Sequence, residues 1–335
     1  MQNRRIVLAR RPEGPAGLEH FRLESAPAPE PGPGQLLLRT RWLSLDPYMR
    51  GRMSAGPSYA APVEVGEVMG AGTVAEVLES RAEGFAPGDL VVSYSGWQEL
   101  SATDAAQVTR LGPGLARPSY ALGVLGMPGL TAYYGLLEIG QPRAGETVAV
   151  AAATGAVGSV VGQIARIKGS RVVGIAGGPE KCRHATEVLG FDACVDHRAA
   201  DFPERLAAAC PAGIDVYFEN VGGKVLGAVA PLLRDNARIP LCGLISGYNT
   251  TGSDGGPTSG QLLRTFLIRR VKLQGFVISD HFDRMDAFQR DMTQWLASGE
   301  IRYAEHVVKG LDAAPAAFLG MLKGENLGKT VVEVG

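Results

Sequence analysis

The small residues that follow one short apolar segment have the clearest chemical potential. Thr147 to Ala152 is β-branched and apolar, which is typical of a strand buried on both faces of a parallel sheet. Ala153, Gly155 and Gly158 then match a G-x-G-x-x-G fingerprint whose first glycine has become alanine. Gly155 leaves room for a pyrophosphate near the backbone, and the helix after Gly158 offers N–H groups to an anion. The pattern predicts a dinucleotide site, with a tight packing turn as the alternative. The expected contacts are Thr154, Gly155, Ala156, Val157 and Gly158.

The end of the next predicted strand favours NADPH over NADH. An NAD site has a carboxylate there to hold the ribose 2′-hydroxyl. This chain instead reads Ile175-Ala-Gly-Gly-Pro179 and has no acidic side chain beside Gly177. A 2′-phosphate would therefore meet no repulsion at this position.

Composition indicates an ordinary globular chain. With 335 residues, 45% hydrophobic content, 20% charged residues and a net charge of -1, the chain is long enough for two domains. This charge balance gives no electrostatic support for binding nucleic acid or acidic membranes. The first residues, Met-Gln-Asn-Arg-Arg, contain no apolar segment, and no uncharged run is long enough to span a bilayer. We expect a cytoplasmic protein without a signal peptide.

The four cysteines do not form a metal-binding or redox pattern in the sequence. Cys182, Cys194, Cys210 and Cys242 are widely spaced, without a C-x-x-C or an adjacent histidine ligand pattern. We expect free buried thiols.

The elements that must position the turn fall into two kinds. Over about the first 120 residues, short strands such as Arg5–Ala9 and Gln35–Leu43 alternate with turns, which indicates a mostly β domain. From Thr147 strands and helices alternate, which predicts a parallel sheet covered by helices on both faces. Helices are predicted over Thr131–Leu137 and, after the glycine turn, over Val157–Lys168. The elements predicted after them are Arg171–Ala176, Lys181–Leu189, Ala193–Asp196, Phe202–Cys210, Ile214–Glu219, Lys224–Leu233, Arg238–Leu244, Gln261–Arg270, Val271–Ile278 and Asp283–Ala297.

Two later segments depart from this alternation. Asn249 to Gly260 is polar and glycine-rich, which predicts a mobile loop. The tail, Ile301 to Val334, contains a strand, a helix over Ala314–Leu322 and a final strand Thr330–Val334, and it could return to the first domain.

Several segments in order resemble one family. They are Met127-Pro-Gly-Leu-Thr-Ala-Tyr-Tyr-Gly-Leu136, Ala151-Ala-Ala-Thr-Gly-Ala-Val-Gly-Ser159, Glu219-Asn-Val-Gly-Gly223, Cys242-Gly-Leu-Ile-Ser-Gly-Tyr-Asn249 and Gly324-Glu-Asn-Leu-Gly-Lys329. Together they resemble the prostaglandin reductase or alkenal/one oxidoreductase branch of the zinc-free medium-chain dehydrogenases/reductases, to which bacterial curcumin reductases are close. The resemblance implies an α/β fold. It has a GroES-like β domain built from residues 1–125 and 300–335 and a Rossmann domain over residues 126–299.

The same resemblance implies the cofactor contacts beyond the turn. Lys181 matches the lysine that pairs with the 2′-phosphate of NADPH, although a solvated helix lysine is the alternative. His197 and Arg198 stand where relatives often carry tyrosine and lysine, so they are either phosphate ligands or surface residues. Asn220 and Asn326 lie in motifs that contact the nicotinamide half. Gly243, like Gly222, would let the cofactor approach the ends of strands.

The implied chemistry is reduction of an activated carbon–carbon double bond in a small enone or alkenal. Hydride goes to the β-carbon, and a hydrogen-bond donor must stabilise the developing enolate. Tyr48, Tyr59 and Tyr248 match positions that line the substrate cleft, and Tyr59 or Tyr248 would assist catalysis. A packing role is the alternative for each of them. His281 could relay a proton, but a structural role is the stronger interpretation.

The resemblance also bears on metals and on competing functions. Zinc alcohol dehydrogenases of the superfamily use an N-terminal-domain cysteine and a Gly-His-Glu motif. Here the first cysteine is Cys182 and the matching segment reads Val65-Gly66-Glu67, so no metal site is expected. Quinone reduction and non-catalytic redox sensing remain as alternatives. The segment Val271–Ile278 resembles one that joins two subunits in the family, which implies a homodimer.

Overall fold

The chain divides into two compact units in a computed structural model that describes residues 1–56, 58–112, 115, 117–249 and 255–335. One unit comprises Met1–Gly126 and Glu305–Gly335, and the other comprises Met127–Ala304. The assignment of these units to substrate and cofactor stays a prediction.

Strands and helices are numbered here in chain order. The strands are β1 (Gln2–Leu8), β2 (Phe21–Pro27), β3 (Gln35–Ser44), β4 (Thr73–Ser80), β5 (Leu90–Ser93), β6 (Leu100–Asp104), β7 (Thr109–Arg110), β8 (Thr147–Ala151), β9 (Arg171–Ala176), β10 (Ala193–Asp196), β11 (Ile214–Phe218), β12 (Leu233–Leu241), β13 (Lys272–Gly275), β14 (Glu305–Lys309) and β15 (Lys329–Glu333). The α-helices are α1 (Tyr48–Arg52), α2 (Met127–Tyr134), α3 (Gly158–Ile167), α4 (Pro179–Arg183), α5 (Phe202–Ala209), α6 (Gly223–Val229), α7 (Ser259–Arg269), α8 (Met285–Ser298) and α9 (Ala314–Leu322).

The first unit is a mostly antiparallel β structure. Its larger sheet has the order β14-β15-β3-β4-β5-β7, and β6 pairs with β3. The tail strand β15 lies antiparallel to β3, so the end of the chain completes this sheet. Trp97 is fully buried, stacks on Phe21 at 5.5 Å between ring centroids and meets Phe318 of α9 edge-on at 5.7 Å. Aromatic packing therefore joins the start of the chain, the segment between β5 and β6 and the tail in one core.

The second unit is a parallel sheet in the order β10-β9-β8-β11-β12-β13. Counted from β8, this is the 3-2-1-4-5-6 order of a dinucleotide-binding Rossmann fold. Every residue of β8 and β11 is buried, which explains why these two central strands are mostly apolar in the sequence. The strand order reverses between β8 and β11, which is where ligands bind in such sheets.

Several predicted boundaries shift for identifiable reasons. The helix expected over Thr131–Leu137 begins earlier, at Met127, and its last turns over Gly135–Gly140 are a π-helix. The strand expected over Arg238–Leu244 begins at Leu233, because Leu233 already pairs with Ile214 of β11. Thr258 caps α7 through a hydrogen bond from the Gln261 N–H, so this helix begins at Ser259 rather than Gln261.

The predicted mobile loop lies partly outside the described residues, because the structure describes Asn249 and 255–260 but not 250–254. Among the described helices, none has both the length and the hydropathy required to cross a bilayer.

Candidate functional site

The turn after β8 is held by the carbonyl of Ala152. Ala152 has a left-handed φ of 52°, which an alanine adopts at a cost of about 1–2 kcal/mol. Its carbonyl accepts the Gly155 N–H at 2.9 Å, and a Cβ at Gly158 would lie 2.3 Å from the same oxygen. Gly158 is therefore glycine because the backbone of the turn occupies the space of a side chain. The predicted strand Thr147–Ala152 accordingly ends one residue early, at Ala151.

Main-chain donors point to an anion site at this turn. In the part of the chain that the structure describes, no main-chain carbonyl accepts from the N–H groups of Ala156 and Val157. The helix that follows, α3, has no acidic residue in its first turn and no side-chain cap. Two free N–H groups and a helix N-terminus suit a pyrophosphate.

Cationic side chains gather where β9 and β10 end, and we call Lys181, His197 and Arg198 the basic cluster. A Cβ at Gly177 would lie 2.9 Å from Arg198 Nε and 3.0 Å from His197 Nε2, so both side chains rest on this glycine. Desolvation and then the Arg198 charge lower the pKa of Lys181 and that of His197. Cations this close favour an anion between them, as a 2′-phosphate would provide.

Asp196 lies close enough to His197 and Arg198 to interact with their charges, and its carboxylate also holds backbone N–H groups. Its Oδ1 accepts the N–H of Gly178 at 2.8 Å and the N–H of Arg198 at 2.9 Å. Desolvation is the largest single influence on the pKa of Asp196 and raises it. The two backbone bonds and then the charges of His197 and Arg198 together outweigh it, so this pKa lies below its ordinary value. Asp196 thereby fixes the two loops that carry the basic cluster.

A second loop lies at the carboxyl ends of β8, β11 and β12. The Asn220 side chain donates to the carbonyl of Ala151 at 2.8 Å, so it ties β11 to β8 beside the turn. A Cβ at Gly243 would lie 3.5 Å from the Tyr248 hydroxyl and 3.6 Å from the Asn220 carbonyl. The structure thus brings Asn220, Gly243 and Tyr248 together at the point where the strand order reverses.

Glu219 supports this loop and was not identified from the sequence. Its side chain is buried, and Oε1 accepts the N–H of Val221 at 2.6 Å and the N–H of Gly222 at 2.9 Å. Burial raises the pKa of Glu219, a change that these two backbone bonds oppose. The motif Glu219-Asn-Val-Gly-Gly223 could have indicated this role. An acidic side chain can accept from the N–H groups two and three residues after it and thereby cap a turn.

In the first unit, tyrosines gather around Asp46, and we call Tyr48, Tyr59 and Tyr94 the tyrosine cluster. Burial and then the charge of Asp46 raise the pKa of Tyr48, and Tyr94 and Tyr59 are close enough to contribute. Tyr48 is half-buried, whereas Tyr59 and Tyr94 are 66% and 60% exposed. Tyr94 follows β5, and no pattern in the sequence distinguished it.

A buried ion pair anchors the tyrosine cluster. Lys329 is 1% exposed, and its ammonium donates to Asp46 Oδ1 at 2.9 Å and to the Leu45 carbonyl at 2.6 Å. The Ser44 hydroxyl donates to the other Asp46 oxygen. The tail of the chain therefore fixes the loop that carries Tyr48.

The remaining predicted residues have local contacts. The Asn326 side chain donates to the Gly328 carbonyl at 2.8 Å, which closes a turn, so its cofactor contact stays a prediction. His281 stacks on Tyr134 with 3.9 Å between ring centroids. Within the described ranges, no group of three or more His, Cys, Asp or Glu side chains is arranged to hold a metal ion.

The expectation of four buried thiols is wrong in part. Cys210 is buried, but Cys182, Cys194 and Cys242 are only half-buried. All four are free, and Cys182 lies beside Cys194. The spacing in the sequence gave no sign of this pair, because packing of α4 beside β10 creates it.

Comparisons with known proteins agree with this arrangement. Residues 4–111 match the family model described as the N-terminal domain of oxidoreductase, and residues 156–298 match the model described as zinc-binding dehydrogenase. The chain is 57% identical to an NADPH-dependent curcumin reductase from Escherichia coli (strain K12), over 99% of this chain and 97% of that protein. It is 40% identical to prostaglandin reductase 1 of Sus scrofa, over 94% of each. A crystal structure of CurA in complex with NADPH from Vibrio vulnificus matches with a TM-score of 0.96 and 56% identity, over 99% of both chains.

Proposed function

Because the chain belongs to the curcumin reductase-like branch of the zinc-free medium-chain dehydrogenases/reductases, we propose that it reduces the activated carbon–carbon double bond of α,β-unsaturated aldehydes and ketones. The chain is an NADPH-dependent oxidoreductase, as the relatives that match its full length are. The main support for double-bond reduction is the position of the Tyr248 hydroxyl, which lies beside Gly243 and Asn220 where the strand order reverses.

NADPH fits the residues present, and when bound it supplies the hydride. The N–H groups of Ala156 and Val157 bind the pyrophosphate, with Thr154, Gly155 and Gly158 forming the turn that presents them. Lys181, His197 and Arg198 would hold the 2′-phosphate beside Gly177, since clustered cations favour a dianion. Asn220, Gly243 and Asn326 orient the nicotinamide half.

Tyrosine hydroxyls polarise the substrate carbonyl in this account. Burial raises the pKa of Tyr248 above its ordinary value, so its hydroxyl remains protonated and can donate to the developing enolate oxygen. Tyr59 is a second donor on an exposed segment, and Tyr48 lines the binding site. Proton delivery to the α-carbon comes from water or from the ribose hydroxyl network.

One assay tests the proposal. Purified protein is incubated with NADPH and, separately, a 2-alkenal, an aryl enone and a benzoquinone, and the products are identified by mass spectrometry. We expect saturated aldehyde or ketone with stoichiometric loss of NADPH. Turnover of the quinone alone would favour the quinone reductase alternative, and no turnover with any of them would favour a non-catalytic NADPH-binding protein.

We further propose that the chain forms a homodimer through the β13 edge of the parallel sheet. Every residue of β13 is exposed, including Leu273. The neighbouring α7 exposes Leu263 at 66% and Leu267 at 78%. An open sheet edge beside exposed leucines is suited to pairing with a second copy.

Sedimentation measurements test the dimer. Leu267→Glu should produce monomers, because it buries a charge in the proposed contact. Leu18→Glu is the matched control, since Leu18 is 59% exposed in the first unit and should leave the dimer intact. Dimers of both variants, or monomers of the unmodified protein, would contradict the proposal.

A further inference from the structure

Two loops meet at the candidate site, and we call residues 219–223 the Asn220 loop and residues 242–248 the Tyr248 loop. The Glu219 carbonyl accepts the N–H of Cys242 at 2.9 Å and that of Gly243 at 3.2 Å. These bonds join the start of one loop to the start of the other, at the carboxyl ends of β11 and β12.

The middle of the Asn220 loop is also joined to the Tyr248 loop. The Val221 carbonyl accepts the Ser246 N–H at 3.0 Å and the Ser246 hydroxyl at 2.6 Å. The Asn220 carbonyl accepts the Ile245 N–H at 3.3 Å. Because the Tyr248 N–H in turn donates to the Ile245 carbonyl at 3.2 Å, the position of Tyr248 depends on the shape of the Asn220 loop.

The Glu219 side chain fixes that shape. The loop enters α6 through Gly222 and Gly223, whose φ values of 77° and 54° interrupt the regular backbone after β11. Glu219 is 1% exposed, and its Oε1 accepts the N–H groups of Val221 and Gly222 at 2.6 and 2.9 Å. Loss of an acceptor from a buried N–H costs about 1–3 kcal/mol, so without this oxygen the loop should adopt another shape.

We propose that Glu219 is a positioning residue for hydride transfer, because its carboxylate sets the Asn220 loop and, through Val221, the Tyr248 loop. This role rests on the proposed reduction of an enone, in which Asn220 orients the nicotinamide and Tyr248 donates to the enolate oxygen. Hydride transfer depends on the relative placement of the two reactants, and a displacement of about 1 Å can lower its rate about 100-fold. NADPH binding depends mainly on the turn after β8 and the basic cluster in this account, so loss of Glu219 should affect kcat more than cofactor affinity.

Steady-state kinetics with one enone and calorimetric titration with NADPH test this role. Glu219→Ala should lower kcat about 10- to 100-fold, while the NADPH dissociation constant changes by less than about threefold. Glu219→Gln keeps a side-chain oxygen for the N–H groups of Val221 and Gly222, so its kcat should stay within about threefold of the unmodified value. Unchanged kcat in Glu219→Ala, or a loss that glutamine does not rescue, would overturn the proposal.

Asp215→Ala is the matched control, because Asp215 is a buried acid at the opposite end of β11. Its carboxylate accepts the Thr147 N–H at 2.9 Å and a guanidinium N–H of Arg234 at 3.1 Å. Its removal should lower stability in urea unfolding and leave kcat per folded molecule unchanged, with folded molecules counted from the stoichiometry of NADPH binding. Equal losses of kcat in Asp215→Ala and Glu219→Ala would show that Glu219 has only a structural role.

Ser246→Ala tests the same junction and decides the question if Glu219→Ala does not fold. It removes the hydroxyl that donates to the Val221 carbonyl but retains Tyr248, and kcat should fall about three- to tenfold with little change in NADPH affinity. Unchanged kcat in this variant would contradict the coupling of the two loops. Failure of the proposed function is separate, since it would be seen as absence of enone turnover by the unmodified protein.

Discussion

The turn after β8 and the tyrosine cluster use different parts of the polypeptide. At the turn, the carbonyl of Ala152 and the N–H groups of Ala156 and Val157 form the surface, and glycines keep it open. In the tyrosine cluster, side-chain hydroxyls gather around Asp46, which Lys329 and Ser44 hold in place. A site made of main-chain atoms depends on the absence of side chains. A site made of hydroxyls depends on their presence, so the two should fail under opposite substitutions.

The largest effect should come from adding one carbon to the turn. In Gly158→Ala, the new Cβ meets the Ala152 carbonyl at 2.3 Å, and backbone cannot move aside cheaply. We expect NADPH binding to fall below detection in calorimetry, with a loss of about 1–3 kcal/mol in the free energy of unfolding.

The matched control for this change is Gly162→Ala, four residues along the same helix. Its Cβ would meet the Phe191 ring at 2.0 Å, so it should also destabilise the unit. It should nevertheless leave the folded protein able to bind NADPH at low temperature. Equal loss of binding in both variants would mean that the turn has no special role.

Removal of the Tyr248 hydroxyl should slow catalysis without weakening cofactor binding at the turn after β8. In Tyr248→Phe, the donor to the enolate oxygen is lost, and kcat should fall about 100-fold with little change in the NADPH dissociation constant. Tyr59→Phe should have a smaller effect, because Tyr59 is largely exposed. Steady-state kinetics with one enone checks both variants.

Tyr133→Phe serves as the control for hydroxyl removal. The Tyr133 hydroxyl donates to Asp291 at 2.7 Å, so its loss should lower stability by about 1 kcal/mol and leave kcat unchanged. Unaltered kcat in both Tyr248→Phe and Tyr59→Phe would contradict a donor role for tyrosine.

Loss of the Lys181 charge should weaken the binding of NADPH but not that of NADH. Lys181→Ala should raise the NADPH dissociation constant about tenfold, because a charge-assisted contact to the 2′-phosphate is lost. The weaker NADH affinity should not change. Calorimetric titration with both nucleotides gives the comparison, and equal losses would show that Lys181 does not distinguish the phosphate.

The smallest effect concerns the pH dependence of stability. Burial raises the pKa of Glu219 above 4.5, so the folded state binds this proton more tightly than the unfolded state does. The stabilising contribution is present below pH 4.5 and is lost as the pH rises through the folded pKa. Glu219→Gln removes the titrating group but keeps an acceptor for Val221 and Gly222.

Urea unfolding between pH 4 and 8 checks this expectation. The unmodified protein should lose more stability across this range than Glu219→Gln. Glu219→Ala, which removes both acceptors, should be destabilised by about 1–3 kcal/mol at every pH. Identical pH profiles for the unmodified protein and Glu219→Gln would mean that Glu219 does not titrate abnormally.

The features that could be predicted from the sequence are those that short local patterns define, as at the turn after β8. Strands β9 and β10 and helix α9 have the predicted bounds, because buried apolar runs and flanking turns define them locally. The glycine turn was predicted because backbone sites restrict residue type at fixed spacing. By contrast, the approach of Tyr94 to Asp46 and of Cys182 to Cys194 depends on distant segments packing together, which no local pattern records. The left-handed Ala152 was missed for a related reason, since alanine is not a residue type that indicates a positive φ.

The central claim is hydride transfer to the β-carbon of an enone, and isotope labelling tests it most directly. The protein is incubated with NADPH carrying deuterium at the transferable C4 position and with a 2-alkenal, and the product is examined by NMR. We expect a saturated aldehyde with deuterium on the β-carbon and a solvent-derived proton on the α-carbon. Deuterium on the carbonyl carbon of an allylic alcohol would contradict it.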